Sequence, residues 1–367
     1  MSNDQTGGLR QPLLGILGTL IVLLVSFCVM FWFKPDTFGT WVLFIAVSCL
    51  PMQMIIAMVW QNNYPHPASK LEQPLKGLYL LLVSVVVGFV VGSVLLAVAG
   101  GFVTPPGPQL SLFMINSVVV SMWLFVVFQY WPMTAIKKHP AFIGFGTLAL
   151  VYIVNWLVLR FLFDFSFLKG TPVYLAKLDG GGLFMALDVS TFLVSTVPMI
   201  ILLTLLDFWP LTILAKKYPA LGKQPVFGSV TLLLVLLLSG MSWQVFVNVL
   251  KMEVTIYQVC IVICWLFGQF IMMMLMQTYP FQKLKQPIKG IAVNIFAIIL
   301  GFVMYNVYAA ASTLIWGTLP SGAPDYSLEM WMKSAMLAVT FPIITIYSSF
   351  FDFWPLLEPA PKADNLD

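Results

Sequence analysis

The sequence predicts an all-α integral membrane protein of ten transmembrane helices, built as five tandem helical hairpins in parallel orientation. Three observations predict it. Hydrophobic residues make up 60% of the 367 and charged residues only 9%, against about 25% charged in an ordinary soluble domain. Ten segments reach the roughly 20 predominantly apolar residues that a hydrocarbon core demands. Every second segment closes on the same pair, an aromatic residue followed by proline. Disorder is excluded because disordered chains are poor in apolar residues. Strand-length alternation is absent, so helices are the expected spanning element.

Residues 1–11 form a short polar tail. The first span, 12–33, runs into F-W-F-K-P-D with no small-residue cleavage site, and is expected to stay on the chain as a membrane helix. The remaining spans are 39–60, 77–100, 111–136, 141–163, 183–207, 227–249, 254–279, 290–316 and 332–355. They pair into hairpins over 12–65, 77–132, 141–210, 227–280 and 290–355, one transmembrane domain over 12–355 followed by a polar tail, 356–367.

The second, fourth, sixth, eighth and tenth spans end Q-N-N-Y-P, F-Q-Y-W-P, L-D-F-W-P, M-Q-T-Y-P and F-D-F-W-P. The motif pairs are Tyr64-Pro65, Trp131-Pro132, Trp209-Pro210, Tyr279-Pro280 and Trp354-Pro355. A period of 67 to 78 residues marks a repeated supersecondary unit. Further agreement follows the prolines: E-Q-P-L-K-G over 72–77 is matched by K-Q-P-I-K-G over 285–290. Hairpins in one orientation are parallel repeats, unlike the inverted halves of many secondary transporters. A ring and a filled bundle are both compatible with them.

Orientation follows from the basic residues. Arg10, Lys70, Lys76, Lys137, Lys138, Lys216, Lys217, Lys223, Lys283, Lys285, Lys289 and Lys362 lie at one set of span ends. Lys34, Arg160, Lys169, Lys177, Lys251 and Lys333 lie at the other. The excess of Lys and Arg on the motif side places both termini in the cytoplasm, with the chain in a bacterial cytoplasmic membrane. The net charge of +4 is spread over span ends without a dense basic run, so nucleic acid is not an expected partner. The bilayer is the expected one, beside partner membrane subunits or further copies of the chain.

The aromatic-proline pair makes a helix stop at the headgroup level, because proline disfavours helix at the residue before it and lacks an N–H donor. The residue three before each proline is polar: Asn62, Gln129, Asp207, Gln277 and Asp352. A carboxylate at a helix C-terminus opposes the macrodipole, and acidic groups in spans often mark ion or proton paths. The sharp expectation is a polar ring at the cytoplasmic end of a central cavity, with Asp207 and Asp352 holding a cation or proton. The plainer one is that each aspartate locks hairpin packing. A second set, Arg160, Asp164 and Asp188, is expected to form an ion-paired cluster at the outer end of the third hairpin; Arg160 and Asp164 share a helix face at four-residue spacing. Asn155, Gln244, Asn248, Gln258, Gln269, Asn294 and Asn306 are expected to be buried amides, most of them bonding between helices at about 0.6–2 kcal/mol each. Pro51, Pro198 and Pro342 are expected to kink their spans.

Cys28, Cys49, Cys260 and Cys264 lie in apolar stretches and lack metal-site spacing. His66 and His139, the two histidines, both follow a motif proline, which leaves no axial pair for an intrinsic haem. Neither a Walker loop nor an H-E-x-x-H nor a G-x-S-x-G motif occurs. No metal, cofactor or catalytic residue is therefore expected. The functional expectation is a multi-pass membrane transporter or channel-like permease for a small solute or ion, with a polar and acidic ring near the cytoplasmic helix ends. The alternative is a non-catalytic anchoring subunit of a larger membrane complex, contacting lipid or quinone.

Overall fold

The computed structural model describes residues 9–34 and 37–357; most of both tails, with Lys362, lies outside them. The chain is a multi-pass helical membrane protein. Ten helices are long and apolar enough to cross a bilayer: α1 Leu13–Trp32, α2 Phe38–Val59, α3 Leu75–Val98, α4 Pro108–Val127, α5 Pro140–Leu162, α6 Ala186–Leu205, α7 Val226–Val249, α8 Val254–Leu275, α9 Ile288–Trp316 and α10 Ser327–Phe350. The last begins five residues before its expected start. Glu329 and Lys333 dilute the apolar signal there, yet both are buried by packing.

The helices divide into two layers. Between 67% and 78% of the apolar windows of α2, α4, α6, α8 and α10 is buried, against 17% to 39% for α1, α3, α5, α7 and α9. Each even helix packs on the next, and α10 packs on α2, so the inner five close on themselves. The odd helices lie in the outer grooves: α1 between α8 and α10, α3 between α10 and α2, α5 between α2 and α4, α7 between α4 and α6, α9 between α6 and α8. Small residues face inward on the outer layer, as with Gly77, Ser84, Gly88 and Gly92 of α3. The approach is closest between α8 and α9, where a Cβ on Gly301 would sit 2.3 Å from the Cys264 carbonyl oxygen. With no water to drive helices together in lipid, such backbone contact carries the packing.

Buried amides tie the layers further. Gln269 of α8 donates to the Pro198 carbonyl of α6 and to Asn294 of α9 at 3.0 and 2.8 Å. Asn116 of α4 donates to Asn155 of α5 at 2.6 Å, and Asn155 donates onward to the Phe113 carbonyl.

The inner helices end in one recurring way. Most widen into a π-helical turn over their last residues: 55–59, 123–127, 271–275 and 346–350. Two residues with positive φ follow: Gln61-Asn62, Gln129-Tyr130, Asp207-Phe208, Gln277-Thr278 and Asp352-Phe353. The second N–H of the pair turns back to the helix, as from Tyr130 to Leu124 at 2.8 Å and from Thr278 to Met272 at 2.8 Å, closing the helix as a left-handed C-cap does. In α2 the positive pair falls one residue earlier relative to its proline. Gln61, not Asn62, is thus the conformational counterpart of Gln129, Asp207, Gln277 and Asp352.

An outer helix then clamps each inner helix end. Gln11, Gln73, Gln224 and Gln286 each precede a proline that leads into an outer helix. Their amides donate to the last-turn carbonyls of Leu275, Phe350, Val127 and Leu205 at 2.8, 2.7, 3.0 and 2.7 Å. The oxygen of the same amide accepts the N–H of Gly15, Gly77, Gly228 or Gly290 at 3.1–3.3 Å. One side chain thereby satisfies an orphan acceptor of one helix and an orphan donor of another. The glycine is required by close approach: a Cβ at Gly77 would lie 2.7 Å from the Phe351 ring and at Gly228 2.5 Å from Phe128. The remaining groove reverses the donor, with Trp60 Nε1 of α2 bonding the Pro140 carbonyl at 2.9 Å and its ring covering Gly144.

Replacing Gln286 with Met should leave the Leu205 carbonyl and the Gly290 N–H unpaired. The expected loss is about 1–3 kcal/mol, read as a lower melting temperature in detergent, with the exposed Lys283→Ala as a neutral control.

Candidate functional site

The axis of the inner layer holds the candidate site. Mid-way along it is a cavity of about 40 Å3 to which all five inner helices contribute. Leu50, Val118, Leu266 and Phe341 form one layer of its wall; each stands ten residues before the residue that packs on an outer-helix glycine (Trp60, Phe128, Met276 and Phe351). In α6, which ends without a π turn, the wall residue is Val197. The wall is aliphatic and aromatic throughout, and apolar cavities of this kind stay dry.

Three prolines adjoin this layer. Pro51, Pro198 and Pro342 directly follow the wall residues Leu50, Val197 and Phe341. Each removes a backbone donor from its helix. Helices α2, α6 and α10 are therefore weakest in bending at the depth of the cavity.

None of the five polar motif positions lines this cavity. Gln129, Asp207, Gln277 and Asp352 are exposed beyond the last helical turn. Asn62 is half-buried and donates to the Ser349 carbonyl of α10 at 3.0 Å. Their φ values, between 48° and 59°, give a local reason for Asn62, Asp207 and Asp352: Asn and Asp tolerate the left-handed region that most other residues resist.

At the end of the bundle away from the motif prolines, Arg160, Asp164 and Asp188 do not pair with one another. Arg160 bonds the Asp179 carbonyl at 2.9 Å, and Asp164 caps Ser166 through its N–H and hydroxyl. Among the described residues Asp188 has no ion-pair partner. The physical reason is the connection over 163–185, which folds back. Phe163–Asp164 pairs in parallel with Phe184–Met185, and Gln109 of α4 holds Leu175 through both its N–H and its carbonyl. Asp179 becomes the hub, bonded by Tyr174 at 2.7 Å and by Gly181 at 2.9 Å, with Lys169 at 4.0 Å. Burial pushes its carboxyl up, but the Gly181 amide, the Tyr174 hydroxyl, the Phe165 amide and the Lys169 ammonium outweigh that and hold it below the ordinary carboxylate range.

In the sequence Lys333 stands out only as an orientation charge. It is buried, 7% exposed, and donates to Gln258 Oε1 of α8 at 2.8 Å. A signal was present: Lys333 and Gln258 both lie 22 residues before their motif prolines, as does Asp188. Among the described residues no cluster of three metal-ligating side chains occurs. No protein-family model, no curated protein and no solved structure matches the chain.

Asp207→Asn and Asp352→Asn should leave the unfolding stability within about 0.5 kcal/mol of the parent, because Asn suits the same φ. Asp207→Val should cost about 1–2 kcal/mol; equal stability of Val and Asn variants would refute the capping role. The Asp179 hub should hold above about pH 4 and loosen as pH falls through its lowered folded value. Hydrogen exchange over 165–182, corrected for intrinsic rate, would show this as protection lost in acid, and Asp179→Asn should lose it at neutral pH.

Proposed function

We propose that the protein is a channel-like permease whose path is the axis between the five even-numbered helices, captured here closed. The observation that carries the reading is the mid-axis cavity built from every inner helix and shielded from lipid by every outer helix. An apolar lining of this kind blocks ions and polar solutes by dewetting, without a plug. The prolines beside Leu50, Val197 and Phe341 supply the bending points through which it widens.

In this reading the chain is five tandem hairpin units arranged in a ring. Both termini and the lysine-rich motif side face the cytoplasm of a bacterial cell, as the excess of basic residues argues. Asp207 and Asp352 serve as left-handed helix caps at the rim of the path. The anchoring-subunit alternative gives the cavity no role.

Truncating the wall tests the proposal. Phe341→Ala together with Leu266→Ala should raise solute or ion flux in proteoliposomes at least about tenfold over the parent, a barrier reduction of about 1.4 kcal/mol. Unchanged flux in a folded double variant, with partner proteins co-purifying from native membranes at equal stoichiometry, would favour the anchoring subunit instead.

A further inference from the structure

Lys333 stands eight residues, about two helical turns, before the wall residue Phe341, and Gln258 stands eight before the wall residue Leu266. Both therefore occupy the same level of adjacent inner helices, α10 and α8, towards the end of the axis away from the motif prolines. Helix α6 contributes Asp188 at this level and α4 contributes Leu110. Lys333 is 7% exposed and Gln258 3% exposed.

The hydrogen bond between them fixes the orientation of the amide. An ammonium has three donors and no acceptor, so it must face the Gln258 oxygen. The Gln258 Nε2 group, on the same amide carbon as that oxygen, has no partner. Lys333 has one neutral acceptor at 2.8 Å. Among the described residues no carboxylate lies within ion-pair distance of it. Glu329, one turn earlier on α10, is engaged elsewhere, accepting from the Ser321 hydroxyl and from the Gly322 N–H at 3.3 Å. Asp188 is half-buried and outside ion-pair range.

A buried ammonium next to an unspent amide donor is costly unless an acceptor joins it. Both groups are donors, so the missing component accepts hydrogen bonds and carries negative charge. We propose that Lys333 and Gln258 form a binding site for a small monovalent anion at the distal end of the axis. Binding rests on these two side chains alone. Its consequence, that the path selects anions over cations, rests on the permease reading.

The two can be tested apart. The full-length protein in detergent is melted over a range of sodium chloride, with sodium gluconate holding the ionic strength constant. The parent should show a saturable, chloride-dependent rise in melting temperature, as a ligand of the folded state requires. Lys333→Met should abolish that dependence without lowering the melting temperature in gluconate, because it removes an uncompensated buried charge. Gln258→Glu should abolish it too, its carboxylate pairing with Lys333 in place of the anion. A parent indifferent to chloride would overturn the site. So would a Lys333→Met protein destabilised equally in both salts, which is the mark of a plain α8–α10 lock.

Selectivity is read in proteoliposomes carrying the wall-truncated axis under a potassium chloride gradient. The chloride-to-potassium permeability ratio should exceed one and fall about tenfold with Lys333→Met. A cation-selective path indifferent to Lys333 would overturn the proposed selectivity. Chloride-dependent melting with no flux in any variant would leave the site standing and remove the permease reading.

Discussion

The bundle depends on how its inner helices are allowed to stop. A helix that ends near the membrane boundary leaves carbonyls without intrahelical partners, and each one left dry costs several kcal/mol. In four of the five the last turn widens, in all five two residues swing into the left-handed region, and a carbonyl is left pointing outward. In four of the five a glutamine from an outer helix takes it. Because that amide also caps its own helix through a glycine N–H, inner and outer layers cannot be satisfied separately. The mid-axis cavity, its proline-adjoined wall and the Lys333–Gln258 level are all measured from helix ends held in this way.

Much of this was legible. Apolar length located the spans, because without strand alternation only helix satisfies the backbone in hydrocarbon. The aromatic-proline pair marked the helix stops, because it disfavours continuation at a fixed place. The polar residue near each proline was also visible, but its cause was not. Left-handed backbone can be read from Asn or Asp only when the hydrogen bonds around it are known, and the one-residue shift at Gln61 hides the equivalence. Two of the four glutamine clamps were visible in the Lys-Gly repeats. Gln11 merged into a polar tail, and Gln224 precedes V-F-G without the lysine. Their carbonyl partners, over 80 residues away in each case, belong to the ring closure and leave no local trace.

The distal end was read less well for a different reason. Arg160 and Asp164 sit at a helical spacing that favours mutual contact, but the helix ends at Leu162 and turns Asp164 into a strand-like bridge. Spacing rules lose force where the element changes. Lys333 shows the converse. Charges near span ends are ordinarily assigned to orientation, and this one lies inside the packed layer.

The wrap of α1 against α8 and α10 has a cost in time. Gln11 finds its carbonyl on α8, and α1 lies in the groove between α8 and α10. Of the ten helices, α1 is thus the one whose neighbours are made longest after it. Until α10 is made, Gly18 of α1 and Gly77 of α3 lack the Tyr347 and Phe351 rings that cover them, while Gly88 and Gly92 of α3 are already packed on α2. Assembly of the bundle therefore finishes by closure rather than by growth.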